Sequence, residues 1–214
     1  MKKLTVNKLA LKNLIKNIQE SKDTELLIVT KNQTIEDIST LINMGFRVFG
    51  ENRVQEAKKK FLKNILGDNL NLHLIGPLQT NKVKLALKLF DVIQSVDRIN
   101  LIDEISKYLK NELPVKTKNF FIQVNIGNEP QKSGINKEHI NEIYKYSIKK
   151  GLKISGLMCI PPNDSNSKFY FQEMLELKNN IDNKLKLSMG MSNDYLEAVK
   201  CKSNMIRVGS LIFD

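Results

Sequence analysis

The fold class the sequence predicts is α/β: one barrel of eight strand–helix units, a (β/α)8 domain over residues 1–214 with an extra helix in front. Three observations predict it. Short apolar runs bounded by turn residues recur about every 26 residues, as the buried strands of a parallel sheet do. Amphipathic stretches of helical periodicity separate them. Glycine-containing and polar clusters fall where the runs end, which is where such barrels carry their chemistry.

Leu4 to Glu20 sets Leu9, Leu11, Leu14, Ile15 and Ile18 at amphipathic helical spacing ahead of the first strand. Leu26-Leu27-Ile28-Val29 is that strand, running through Thr30 to Lys31 before the polar turn at Asn32. Thr34 caps a helix that runs to about Met44 and stops at Gly45. Phe46 to Phe49 is the second strand, closing on Gly50-Glu51-Asn52, with a helix over Arg53 to Asn64. Leu72 to Ile75 is the third, closing on Gly76-Pro77, and Thr80 to Leu89 is helical. Asp91 to Ser95 is the fourth, and Asp97 opens a helix through Lys110. Asn119 to Asn125 is the fifth, followed by a loop from Ile126 to Ile135 and a helix over Lys137 to Lys150. Leu152 to Leu157 is the sixth, ending in Met158 to Pro162, with a helix over Ser167 to Asn180. Lys184 to Leu187 is a weak seventh strand, closing on Ser188 to Ser192. Asp194 to Lys200 is a short helix, and Met205 to Val208 is the eighth strand, closing on Gly209-Ser210.

Composition narrows the function classes. No run of about 18 apolar residues exists to span a membrane, and the N-terminus lacks the apolar core of a secretory signal, so a cytoplasmic protein is expected. Cys159 and Cys201 stand far apart and form no ligand cluster with His73 or His139, so no metal is implied. The net charge of +11 invites a nucleic-acid reading. However, 30 lysines against four arginines, scattered over helix faces with no Trp, read as a generally basic surface rather than a nucleic-acid site.

Lys31, one step past a buried strand, sits at the mouth of the sheet. There a partly desolvated amine serves as a nucleophile toward an aldehyde, or else simply reaches water. Gly190-Met191-Ser192-Asn193 and Gly209-Ser210 follow the last two strands, where barrel phosphate sites are commonly built from backbone N–H groups. Ser192 either adds its hydroxyl to such a site or caps the next helix. Arg207 alternates with Ile206 and Val208, so it points either into the barrel mouth or outward to a helix carboxylate. On its own flanks Asn52 reads first as a cap of the helix from Arg53, His73 as a satisfied core histidine and Met158 as rim packing.

Thr30-Lys31, Phe49-Gly50-Glu51-Asn52, His73 to Lys82, Gln123-Val124-Asn125 with Lys132-Ser133-Gly134, Gly156-Leu157-Met158, Ser188 to Ser192 and Ile206 to Gly209 stand in one order. In that order they resemble the pyridoxal phosphate homeostasis proteins, whose fold is similar to the N-terminal barrel of alanine racemase, the fold type III class. The resemblance implies a Schiff base between Lys31 and pyridoxal 5′-phosphate. It also implies phosphate contacts from Ser192, Gly209 and Ser210, with Arg207 facing the pyridine nitrogen and Asn52, His73 and Met158 lining the same mouth. Two departures stand out. Gln33 occupies a position where the family has a second lysine, and the last helical segment is absent or very short.

An arginine at the ring nitrogen donates and stays protonated, which makes the cofactor a poor electron sink. Racemases of this fold add a second base from a separate β-domain, which a 214-residue barrel lacks. The resemblance therefore implies a monomeric cofactor carrier with no catalytic residue, serving pyridoxal-phosphate enzymes as clients. A weak amino-acid racemase is the alternative, and a cofactor-free Schiff-base aldolase is the rival outside this class.

Overall fold

In the computed structural model the described residues are 6–19, 21, 23–61, 66–67, 69–111 and 114–213. The strands are β1 Glu25–Val29, β2 Val48–Glu51, β3 Asn71–Leu74, β4 Val92–Val96 and β5 Asn119–Asn125, then β6 Ile135–Asn136, β7 Ile154–Cys159, β8 Lys186–Ser188 and β9 Met205–Val208. The helices are α1 Lys8–Ile18, α2 Ile35–Asn43, α3 Val54–Phe61, α4 Val83–Leu89 and α5 Ile99–Lys110, then α6 Ile140–Lys149, α7 Ser167–Ile181, α8 Tyr195–Lys200 and α9 Ser210–Phe213.

All ladders are parallel, and β1 pairs with both β2 and β9 while β4 pairs with β5. The sheet therefore closes as β1-β2-β3-β4-β5-β7-β8-β9, with the two-residue β6 added at the end of β5. This is the (β/α)8 barrel that the alternating pattern predicted. Closure leaves no sheet edge among these eight strands, so their backbone groups are satisfied without a covering element.

Local signals explain several boundaries. Thr34 caps α2 in a reciprocal box with Asp37, and Gly45 follows its end at φ 97°, a left-handed conformation that glycine adopts without penalty. At α1, Asn7 accepts from the N–H of Ala10, and Leu11, Leu14 and Ile18 are buried. The N–H of Asn7 also donates to the carbonyl of Ile212, and Asn17 donates to the Tyr195 hydroxyl, which ties the leading helix to α9 and α8. The predicted ends of this helix, Leu4 and Glu20, lie outside the described residues, as does the end of the helix predicted to Asn64.

Other boundaries move. β2 is two residues later than its apolar run suggests, taking in Gly50 and Glu51, and β7 likewise extends through Met158 and Cys159. Strands buried on both faces carry no alternation to mark their ends, so pairing with the neighbour sets them. Asp97 does not open α5: Arg98 occupies the cap position, donating to the Asp97 carboxylate and to the Leu78 carbonyl. Ile135 leaves the expected loop to pair with Val124.

Outward strand residues and the helices make one continuous apolar layer. The barrel interior is different. Leu27, Val29, Ile75 and Met205 form one small apolar group, and Val92, Phe121 and Met158 form another. Between them sit buried polar side chains, His73, Gln94, Gln123, Ser188 and Arg207. Branched aliphatics dominate most barrel interiors, so this polarity is the first sign of a site.

Gly156 leaves room for that interior. A Cβ there would stand 2.3 Å from the Phe121 ring and 2.4 Å from the Lys186 carbonyl, and the second of these is backbone and cannot yield. Gly156→Ala is expected to destabilise the barrel by about 2 kcal/mol, lowering Tm by roughly 4–8 °C. Thermal unfolding followed by circular dichroism checks this, and an unchanged Tm contradicts it.

Candidate functional site

A cavity of about 670 Å³ opens at the C-terminal ends of the strands. Its lining includes Lys31, Asn52, Gly76, Gln123, Lys132, Ser192, Arg207, Gly209 and Ser210. Six of the eight residues anticipated as cofactor contacts thus share one mouth. His73 and Met158 do not line it. Met158 is fully buried against Val92 and Phe121, and His73 lies deeper in β3.

Lys31 lies two residues past the end of β1, in a turn where Asn32 takes φ 62°. Of the two readings of its position, the structure gives the exposed one, because the strand has ended before it. The backbone that carries it is held firmly. Thr30 donates through its N–H to the Gly50 carbonyl (2.9 Å) and through its hydroxyl to Glu51 Oε1 (2.7 Å). Lys60 Nζ donates to the Thr30 carbonyl (2.7 Å), to Glu51 Oε1 (3.0 Å) and to Glu56 Oε1 (2.6 Å). Glu56 Oε1 in turn accepts from the N–H of Asn32 (2.6 Å). Residues on both sides of Lys31 are therefore pinned to β2 and α3 by a buried ionic cluster. Burial raises the Glu51 pKa, against the pull of Thr30 and Lys60. Burial also acts to raise Glu56, but the bonds from Lys60 and Asn32 outweigh it and lower that pKa.

Among the described residues no side-chain hydrogen bond from Asn52 caps α3, whose first turn closes from the Ala57 N–H to the Arg53 carbonyl, and Asn52 lines the cavity. Its carbonyl would lie 2.2 Å from a Cβ on Gly76, so the loops after β2 and β3 touch backbone to backbone at this rim. On the far side Ser210 Oγ donates to Ser192 Oγ (3.0 Å), joining the loops after β8 and β9. Ser192 is thus not the cap of α8. Asp194 takes the cap position, and its carboxylate accepts from the N–H of Met191. Gly190 allows this loop to turn at φ 96°. The first N–H groups of α9, at Ser210 and Leu211, have no acceptor within their own helix and adjoin the joined hydroxyls. Hydroxyls and free N–H groups of this kind suit an anion.

Arg207 settles the two readings of its strand. It is 3% exposed and points inward, donating through Nη1 to Ser188 Oγ (2.9 Å) and through Nη2 to the Cys159 carbonyl (2.7 Å). Burial acts to lower its pKa, opposed by Cys159 and Asp194, yet a guanidinium stays protonated. Among the described residues it has no salt bridge, with Asp194 acting on it only through space, so it presents a positive charge without a direct ionic partner to the cavity.

His73 is satisfied at both nitrogens. Nε2 donates to Asn71 Oδ1 (3.1 Å), and Nδ1 accepts from Gln94 Nε2 (2.7 Å). Burial pushes its pKa down to about 4, so it is neutral at physiological pH. Gln94 Oε1 accepts in turn from Ser188 Oγ (2.6 Å). Sequence reasoning gave no site role to Gln94, Lys60 or Glu56, and took Ser188 only as the start of the loop after the seventh strand. Gln94 left a signal of its own, as an amide between Val92 and Val96 in an otherwise apolar run. Asn125, a rim residue in sequence, instead holds its own loop through the backbone N–H and carbonyl of Glu129. Cys159, whose thiol burial pushes up to about 12, stays protonated. Among the described residues no helix is long and apolar enough to cross a membrane, and no metal-binding cluster exists.

Two outcomes follow from this geometry. Lys60→Met strips Glu51 and the Thr30 carbonyl of their partner, and urea denaturation is expected to show a loss of about 3 kcal/mol; a variant of wild-type stability refutes the clamp. Folded His73 titrates near 4 and the unfolded ring near 6.5, so the unfolded chain binds the extra proton between these values. Stability should therefore fall as pH drops from about 6.5 to about 4, by up to roughly 3 kcal/mol from this residue. His73→Asn should flatten that slope, and an equal slope in both proteins contradicts it.

No family model matches the chain. Curated relatives do. The pyridoxal phosphate homeostasis protein of Aquifex aeolicus is 38% identical over 201 residues, covering 88% of this chain and 86% of the relative. That of Haemophilus influenzae is 38% identical over 201 residues, covering 88% and 84%. Among solved structures, PipY of Synechococcus elongatus without PLP superposes with a TM-score of 0.84 at 30% identity, over 96% of this chain and 99% of that one. PipY with PLP bound gives 0.81 at 29%, over 96% and 100%. The alanine racemase of Acinetobacter baumannii shares the fold, with a TM-score of 0.75 at 17% identity over 99% of this chain and 63% of that one. With the barrel, the lysine at its mouth and relatives alike over most of their length, this chain belongs to the family of pyridoxal phosphate homeostasis proteins.

Proposed function

We propose that this chain is a pyridoxal 5′-phosphate carrier, a single domain over residues 1–214 that holds the cofactor as a Schiff base on Lys31 and serves intracellular cofactor homeostasis. The observation that carries the reading is the placement of Lys31 and the unpaired Arg207 in one cavity of about 670 Å³. The donor set fits the group. Ser192, Ser210 and the backbone at Gly209 suit the phosphate, Arg207 suits the ring nitrogen, and Lys31 supplies the amine. The bound cofactor supplies an aldehyde for reversible condensation with amines. Around it, Arg207 donates without releasing a proton, Asn52 and Gly76 shape one wall, and the Lys60 cluster fixes the turn that aims Lys31.

Carrying rather than turnover is the better-supported use of this site. Among the described residues the lining holds no tyrosine, histidine or cysteine; Lys132, its other lysine, is engaged by Glu129 and the Pro161 carbonyl, and the Asp194 carboxylate accepts from the N–H of Met191. Proton abstraction needs a base within reach of the substrate. Racemase chemistry of an amino acid is the second reading, favoured by the fold shared with alanine racemases. A monomer in the cytoplasm, passing the cofactor to pyridoxal-phosphate enzymes, completes the proposal.

Protein incubated with pyridoxal 5′-phosphate, desalted and scanned in the visible range is expected to keep an absorbance band that Lys31→Ala loses. Borohydride should fix the adduct on Lys31. A wild type that keeps neither band nor adduct overturns the reading, and sustained racemisation by the same sample replaces the carrier with an enzyme.

A further inference from the structure

Arg207 is reached from the interior by a chain of neutral groups drawn from β3, β4, β8 and β9. Gln94 and Ser188 have no measurable exposure, and His73 is 2% exposed. The direction of each bond in the chain follows from two facts: a guanidinium has donors and no acceptor, and the Gln94 amide sets Oε1 at Ser188 and Nε2 at His73. Arg207 Nη1 therefore donates to Ser188 Oγ (2.9 Å), and the single Ser188 proton goes to Gln94 Oε1 (2.6 Å). That assignment turns the Gln94 amide nitrogen toward His73, where Nδ1 accepts (2.7 Å). The imidazole proton is then on Nε2, where Asn71 Oδ1 accepts it (3.1 Å). Gln94 Nε2 also lies 3.1 Å from Met205 Sδ, a weak acceptor that gives the amide no reason to flip.

We propose that His73, Gln94 and Ser188 are positioning residues, a one-way hydrogen-bond relay that orients Arg207 toward the cavity while leaving its charge unneutralised. The proposal rests on the reading of the cavity as a pyridoxal-phosphate site for its ligand, but the direction of the relay belongs to the unliganded chain. The family resemblance places His73 at the mouth as a lining residue, whereas this geometry gives it a different role, acting on the ligand through Gln94, Ser188 and Arg207. A carboxylate at position 94 or 188 would hold Arg207 as well, but it would cancel the charge the ligand is to meet. Neutral dipoles hold the guanidinium without doing so. Two of its five N–H donors are spent on Ser188 and Cys159, which leaves the others for the cavity. Asp194, in the cavity lining, acts on Arg207 through space only.

The chain contains two histidines, His73 and the exposed His139, so ¹⁵N-histidine NMR of the full-length protein reads the relay directly. Wild type is expected to show His73 as the neutral Nε2–H tautomer. Gln94→Glu removes the donor at Nδ1 and should move a proton onto that nitrogen, with His139 as the unaffected reference. An Nδ1–H tautomer in wild type, or a His73 signal unmoved by Gln94→Glu, overturns the relay. Ser188→Ala and Ser188→Thr, both checked for native circular dichroism, are then titrated with pyridoxal 5′-phosphate. Ser188→Ala should bind about tenfold more weakly with a shifted absorbance band, the scale of one charge-assisted bond, and Ser188→Thr should recover both. Wild-type affinity and spectrum in Ser188→Ala overturn the positioning role. If wild type itself binds no cofactor, the assignment of the ligand falls, and the histidine spectrum alone decides the relay.

Discussion

A guanidinium buried inside a barrel without an ionic partner is the constraint on which the rest of this site depends. Such a charge is expensive to desolvate unless hydrogen bonds and a ligand take the place of water. Arg207 meets that requirement with a hydroxyl and a carbonyl, both neutral, and leaves the remaining donors for whatever enters the cavity. The polar interior follows from it. Ser188 accepts from Arg207 and donates to the Gln94 carbonyl, and the Gln94 amide donates to a neutral His73. The apolar groups around Met158 and Leu27 fill the space between and keep water away from the network.

The second constraint lies across the mouth, where charge is handled in the opposite way. Lys60, Glu51 and Glu56 form a closed ionic cluster whose purpose is mechanical, since it touches the backbone before and after Lys31 and leaves the Lys31 side chain free. A pinned turn under an exposed amine suits reversible condensation: the backbone at the base of the side chain is fixed and its end is accessible. The two walls thus differ in kind. One presents an oriented, desolvated cation and the other an exposed amine on a pinned turn.

This division is consistent with a protein that holds its ligand without transforming it. The proposed holding role needs donors for an anion, a donor for the ring and an accessible amine, and Ser192 and Ser210, Arg207 and Lys31 line one cavity. Transformation requires in addition a base placed against the substrate. In the shared racemase fold the solved chain is longer, and this barrel matches 63% of it.

Much of this was legible in the chain before any coordinates. Alternating apolar runs and amphipathic stretches implied the barrel, and the position of Lys31, Arg207 and the late glycine loops at strand ends implied a common rim. Pattern and turn chemistry are local, so they survive in sequence: Thr34 with Asp37 marks a helix start, and Gly45 marks its end. What only the tertiary structure decided was which way side chains face and what they touch. A strand buried on both faces carries no alternation, so the sequence left Arg207 either inward or outward, and His73 either a core histidine, as its own flanks suggest, or a residue of the mouth, as the resemblance implies. Closure of the sheet put β3, β4, β8 and β9 within hydrogen-bond reach across the barrel, which made the buried His73 the far end of a relay. Lys60, one of many lysines along its helix, acquired its role in the same way, because a buried partner is a property of the fold and leaves no mark in spacing or composition.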